Sequence, residues 1–236
     1  MNSLERYRRR GQSLDAQIEN LEALIDVPTV AIRLEPADTP AEICRTHPEA
    51  EYRTGFYADP PGPLSITRLE PWRVSRVVRE NANRAERLGY GHRIIDRAEW
   101  EDDLYALRSS RRRRQGRPMP RSYLERETYS SDVPSPCRRH GFTVHGVVSA
   151  QGRLVAYAQI SQCGEVARFN TILGHGDYLD DRVVWLLVRD AIEWHRREAG
   201  ASFALYLTHD SGDGGGLRYF KERFGFRPAR VDWRFA

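Results

Sequence analysis

Leu14, Ile18, Leu21, Leu24 and Ile25 recur at helical spacing with acids between them, which predicts an amphipathic helix over residues 3–25. The apolar run Val27–Leu34 predicts a strand. Prolines and glycines then crowd Glu35–Pro71, most densely at Asp59-Pro60-Pro61-Gly62-Pro63, and predict a long irregular segment. Residues 1–70 are therefore read as an N-terminal extension, a helix plus a Pro/Gly-rich segment, that packs on a main domain at 71–236 and helps shape its cleft.

The texture changes at Pro71. Trp72–Leu88 lacks breakers and predicts a helix, ended by Gly89-Tyr90-Gly91. His92–Ile95 reads as a short strand, and Asp96 as the cap of a helix from Arg97 towards Arg108. Gly116-Arg117-Pro118-Met119-Pro120 breaks the pattern, with a short helix around 121–127 and a loop at 130–136. Three strands follow, at Phe142–Val148, Leu154–Ser161 and Val166–Leu173, the first two joined through a Gln151-Gly152 turn. Leu179–Arg197 predicts a long helix with Val183, Val184, Leu186, Leu187, Ala191, Ile192 and Trp194 for its buried side. A strand at Phe203–Leu207, a short helix at Leu217–Phe224 and a last strand at Val231–Phe235 complete the chain. This order predicts an α+β fold on a mixed, mostly antiparallel sheet flanked by helices.

Composition narrows the class. Forty per cent hydrophobic and 10% aromatic residues over 236 positions fit a folded chain with a full core. No apolar run approaches the roughly 20 residues needed to span a bilayer, so no membrane partner is expected. Charges near the N-terminus have no apolar signal core behind them, and the expectation is a cytoplasmic protein. Cys44, Cys137 and Cys163 are far apart, form no metal-ligand spacing, and read as reduced thiols. The net charge is +4 and the pI about 9.1. The positive charge is clustered: Arg8–Arg10 and Arg111–Arg114 form runs, and Arg117, Arg121, Arg138 and Arg139 extend the second. Guanidinium groups bind phosphate bidentately and stack on bases, which points to RNA or a phosphorylated ligand.

Lys221 is the only lysine among 37 Lys and Arg residues. A lysine is a compact charge on a flexible stem, whereas arginine is a rigid planar fork. In a chain this committed to arginine, the exception marks a position where the smaller cation is needed.

Lys221 sits in Phe220-Lys221-Glu222-Arg223-Phe224-Gly225-Phe226, and that segment together with the element order resembles the GNAT acyltransferase fold over about residues 90–236. In many GNAT enzymes a tyrosine four residues before the glycine is the general acid for the departing thiolate; Lys221 stands there. GNAT enzymes bind the acetyl-CoA pyrophosphate through Gln/Arg-x-x-Gly-x-Gly/Ala at the start of the long helix. This chain has Thr171-Ile172-Leu173-Gly174-His175-Gly176, followed by Asp177, Asp180 and Asp181. Those carboxylates are expected to cap the helix themselves and to repel a diphosphate.

A branch of the same fold resembles this chain more closely. Fem-type transferases, which take their acyl group from aminoacyl-tRNA, often enter the GNAT unit through Arg-x-Asn-x-x-Arg-Ala-x-Arg-x-Gly. The chain carries Arg79-Glu80-Asn81-Ala82-Asn83-Arg84-Ala85-Glu86-Arg87-Leu88-Gly89 there. They also carry a Phe-Lys pair on the last helix, matched by Phe220 and Lys221. The resemblance implies transfer of an aminoacyl group from charged tRNA to an amine, without a cofactor or a metal. With room for one GNAT unit rather than two, it points to a small-molecule amine acceptor in a specialised biosynthetic pathway.

On that reading Lys221 donates to the oxyanion or the leaving ribose oxygen, and Phe220 packs against the terminal adenosine. His209 and Asp210 are candidates for deprotonating the amine. Asn170, Trp185 and Tyr219 are candidate substrate contacts, and Arg111, Arg112, Arg113, Arg114 and Arg117 candidate tRNA contacts. His175 is expected to cap the glycine turn, and His140 and His145 to be structural. Two other readings stay open: an acetyl- or acyl-CoA-dependent N-acyltransferase, and a non-catalytic RNA-binding module on the same fold.

Overall fold

The computed structural model describes residues 27–34, 63–114, 117–132, 140–208 and 215–235. The helix expected over residues 3–25 lies outside them. Ten strands and four α-helices are described: β1 Thr29–Leu34, β2 Leu64–Arg68, α1 Arg76–Arg87, β3 Gly91–Ile94, α2 Glu101–Ser109, β4 Arg113–Arg114, β5 Arg117–Pro118, β6 His140–Val148, β7 Leu154–Cys163, β8 Val166–Gly174, α3 Val183–Arg197, β9 Phe203–Thr208, α4 Gly215–Arg223 and β10 Arg227–Phe235. Eight strands form one sheet in the order β1-β10-β2-β9-β8-β7-β6-β3, and β4 and β5 form a small ribbon. Pairing is antiparallel except at β1–β10 and β8–β9. The α+β fold on a mostly antiparallel sheet is therefore the one observed.

Two strands of the sheet come from before residue 70. Leu64–Arg68, expected to be irregular, inserts between β10 and β9. Its sequence, Leu64-Ser65-Ile66-Thr67, does alternate, but over only four residues directly behind the Pro60-Pro61-Gly62-Pro63 breakers; in the fold all four are buried. The backbone N–H of Arg33 in β1 donates to Glu165 Oε1 (2.7 Å) in the β7–β8 turn. Around this corner Ile32, Leu34, Leu64, Ile66, Val166, Phe203 and Leu205 form their own apolar cluster.

The main cluster lies between the sheet and helices α1 and α3. Val78, Ala82 and Ala85 give α1 a narrow buried stripe of small side chains facing α3. Ser75 caps α1, its Oγ accepting from Val78 N–H, and donates to the Arg223 carbonyl at the end of α4 (2.9 Å). One hydroxyl thus ties the first helix of the domain to the last. The segment Arg79–Gly89 serves this packing: Asn83 and Glu86 both accept from Arg189 of α3.

The long helix begins at Val183, later than the pattern predicts. Gly176–Asp181 is a 3-10 turn, capped by His175 Nδ1, which accepts from Asp177 N–H (3.3 Å). The aspartates do not cap α3, whose N-cap is Arg182 in the left-handed region. Asp181 instead accepts from the Tyr90 hydroxyl (2.6 Å), and burial beside that carboxylate pushes the phenol pKa up. Among the described residues no helix is long and apolar enough to cross a membrane.

Candidate active site

Strands β8 and β9 pair in parallel only at Val166–Phe203, Ala167–Ala204 and Arg168–Leu205. Both strands continue, so beyond those pairs they part and leave their facing backbone groups unladdered. At the same level the β7–β8 ladder skips from Ile160↔Phe169 to Gln159↔Thr171, leaving Asn170 as the extra residue of a bulge. Asn170 Nδ2 donates to Ser161 Oγ at 2.6 Å. A bulge re-aims the strand at the point where its neighbour departs, and the two strands diverge in mid-sheet.

Helix α4 packs against β9 through Lys221 and against α3 through its rings, and the segment Phe220–Phe226 explains how. Gly225, at φ 83°, is the left-handed residue after the helix. Its N–H donates to the Glu222 carbonyl (3.1 Å) and the Phe226 N–H to the Lys221 carbonyl (3.0 Å), the two bonds of a Schellman cap. A Cβ at Gly225 would stand 2.9 Å from Thr67 Oγ1, so close approach to β2 also requires glycine there. The cap fixes where Lys221 stands on the helix. Its side chain is 4% exposed, and Nζ lies 5.2 Å from the centroid of the Tyr206 ring on β9. A buried ammonium over an aromatic face is a favourable arrangement of about 2 kcal/mol.

The rings on either side of Lys221 along α4 pack against α3. Trp185, one turn into α3, meets Phe220 at 5.0 Å and Phe224 at 5.6 Å between ring centroids. Tyr219 touches the edge of Trp185 (6.4 Å), is 43% exposed, and carries the Arg223 guanidinium over its ring (4.5 Å). Phe169, Tyr206 and Phe226 meet one another in a second cluster. Ring contacts thus bring Phe220, Trp185 and Tyr219 together beside Lys221, while Asn170 sits in the bulge of β8, bonded to Ser161. His209 and Asp210 lie outside the described residues. Sequence reasoning missed Tyr206; it was visible only as one more apolar position of an alternating strand.

The arginine run divides into two pairs. Arg114 Nη1 donates to the Gly174 carbonyl (2.8 Å), and its Nη2 to the Leu107 carbonyl (3.0 Å) and Ser110 Oγ (2.9 Å). Desolvation, with Arg111 nearby, holds its pKa below the usual guanidinium range. Arg111 Nη2 donates to the Gly176 carbonyl (3.0 Å), and its stem passes so near that a Cβ on Gly176 would meet Arg111 Nε at 2.7 Å. Arg112 and Arg113 are exposed. For Arg117 only the backbone is described, paired with Arg114.

The N–H groups of the glycine turn are also engaged. His175 N–H donates to the Val155 carbonyl (2.8 Å) and Gly176 N–H to Ser110 Oγ (3.0 Å). The N–H groups of His175 and Gly176 thus already hold protein acceptors.

A strand pair that parts at a bulge, a long helix after the glycine turn, and a short helix packed beside them make up the GNAT arrangement. Among solved structures, the C-terminal DUF2156 domain of an Agrobacterium fabrum protein described as a lysylphosphatidylglycerol synthetase is similar, with TM-score 0.51 at 16% identity, over 71% of this chain and 57% of that one. The crystal structure of FemX is similar with TM-score 0.52 at 11% identity, over 71% of this chain and 59% of that one. The fold is a GNAT fold. A GCN5-related N-acetyltransferase from Kribbella flavida also matches, with TM-score 0.44 at 16% identity, over 77% of this chain and 60% of that chain. The chain spans less than two thirds of the length of each of these structures. No protein-family model and no curated protein matches the sequence. Among the described residues, no group of His, Cys, Asp and Glu is arranged to hold a metal ion.

Proposed function

We propose that this GNAT-fold chain is an N-acyltransferase that forms an amide by moving an aminoacyl group from charged tRNA to a small amine. The observation that carries the reading is the pairing of a self-filled glycine turn with a buried ammonium over an aromatic ring. A CoA donor needs free N–H groups for its pyrophosphate, and at Gly176 and His175 those groups are spent on Ser110 and Val155. An aminoacyl ester makes no such demand, and its leaving group is a ribose hydroxyl rather than a thiolate.

The chemistry follows from that donor. The neutral amine attacks the ester carbonyl, and the C–N bond forms as the carbonyl electrons move onto oxygen. Collapse of the tetrahedral species breaks the C–O bond to ribose, and the proton lost by the nitrogen ends on the ribose oxygen. Lys221, as an ammonium, donates to the developing oxyanion, a contribution of about 2.7–4 kcal/mol for one well-placed donor. Tyr206 holds the ammonium from behind, and Trp185 and Tyr219 offer ring faces and edges for the terminal base. Asn170, in the bulge, lies on the strand that would hold the acyl group. Arg112 and Arg113 are exposed and are the proposed contacts for RNA phosphates. His209 and Asp210 remain proposed as the groups that take the amine proton.

One observation favours a second reading, an acyl-CoA donor: the Gly174-His175-Gly176 turn stands directly between β8 and α3, the place where GNAT proteins receive pyrophosphate. The test uses a mixture of tRNAs charged with labelled amino acids and, separately, labelled acetyl-CoA, each against a panel of small amines. Amide formed from tRNA alone supports the proposal; acetyl transfer from CoA replaces it with the second reading. RNA binding without transfer from either donor leaves a binding module.

A further inference from the structure

Three histidines far apart in sequence form one hydrogen-bonded row beneath α3, away from the cleft. His92 Nε2 on β3 meets His145 Nδ1 on β6 at 3.0 Å. His145 Nε2 meets His195 Nε2 on α3 at 3.2 Å. His195 Nδ1 meets Gln162 Oε1 on β7 at 2.7 Å. Gln162 Nε2 donates to the Ala199 carbonyl (2.7 Å), just beyond the end of α3, and to the Gly164 carbonyl (3.3 Å).

The last two bonds decide the direction of all the others. Because the Gln162 amide nitrogen faces two carbonyls, its oxygen must face His195, and His195 Nδ1 must carry the hydrogen. A neutral imidazole has one donor and one acceptor nitrogen, so His195 Nε2 accepts and His145 Nε2 donates. His145 Nδ1 then accepts, and His92 Nε2 donates. Every proton in the row is placed by one amide. A proton added at Nδ1 of His92, the outer end, breaks no bond of the row. A proton added to His145 or His195 sets two N–H groups face to face.

We propose that this row is a directional lock, with Gln162 as its fixed terminus, that ties α3 to β3, β6 and β7 while His145 and His195 are neutral and loosens in acid. The inference is independent of the transfer reaction. The charged groups bearing on His92 are Asp190 and Arg189 of α3; those bearing on His145 are the two other rings; on His195 burial acts alone. Desolvation lowers all three pKa values, that of His195 to about 3 and that of His145 well below its ordinary value. The unfolded chain takes up protons below about pH 6.5 while the two inner rings of the folded chain do not. The stabilising difference is thus complete above that pH and is lost as pH falls towards the folded values.

Long-range 1H–15N correlation NMR on the histidine-labelled chain reads the tautomers directly. At pH 7.5 the expected result is Nδ1–H on His195 and Nε2–H on both His145 and His92. On acidification to pH 5 His145 and His195 should keep these tautomers, while urea unfolding shows the unfolding constant rising by about tenfold per pH unit for each inner histidine below pH 6. Gln162→Leu, read by the same spectra, should leave the tautomers mixed. Nδ1–H on His145 in the wild-type chain, titration of His145 or His195 above pH 6, or unmixed tautomers in the Leu variant would each overturn the proposal.

Discussion

Strand β8 is used in opposite ways at its middle and at its end. At the bulge it parts from β9, with Lys221 of α4 buried over Tyr206 and Phe220 beside it against Trp185. At its end, Gly174 and Gly176 are held by Arg111 and Arg114 through their carbonyls, and Ser110 takes the Gly176 N–H. Both places combine a cation with a backbone opening. In one the strands part beside a buried cation; in the other the chain's own side chains take up the backbone groups. The difference teaches that a Gly-x-Gly turn at this place in a GNAT fold can have its hydrogen bonds taken by side chains of the same chain.

Several substitutions can break this contrast or sharpen it. The largest effect is expected at the cleft: Lys221→Ala should lower turnover with charged tRNA by at least ~100-fold, measured as amide formed in a single turnover, with the unfolding midpoint used to show that the fold survives. Lys221→Arg should also lose activity, because a planar fork does not replace a compact ammonium. At the turn the effect should fall on stability. Arg114→Ala strands the Gly174 and Leu107 carbonyls and should cost about 2–3 kcal/mol in urea unfolding. Gly225→Ala forces a Cβ into a left-handed position against Thr67 and should cost about 1–2 kcal/mol by the same measurement. The smallest effect concerns the exposed pair: Arg112→Ala with Arg113→Ala should flatten the salt dependence of tRNA binding by a slope of about 2, read by fluorescence titration across ionic strengths.

Much of the fold is legible in the sequence because the central elements have clean periods. The strands from His140 onward and the capped α4 fall close to where alternation and Gly225 put them, while the long helix starts four residues late and the last strand four residues early. Strand β2 was hidden because its alternation, Leu64-Ser65-Ile66-Thr67, is short and a proline cluster precedes it. The site was legible in part. Lys221 announces itself by being alone of its kind, and Phe220 and Trp185 by their resemblance and helix phase. The filling of the glycine turn could not be read locally, since Arg111 and Ser110 reach it from more than sixty residues away. The same holds for the histidine row, whose four members come from four different elements and meet only in the folded chain. Side chains that act at a distance in sequence leave no pattern in it.

The claim that the turn is closed by the chain itself is tested most directly by calorimetric titration of the wild-type protein with CoA. The account predicts no saturable heat at micromolar concentrations, with Arg111 and Arg114 still on their carbonyls. Micromolar binding, abolished by Gly176→Ala, would contradict it and return the turn to pyrophosphate.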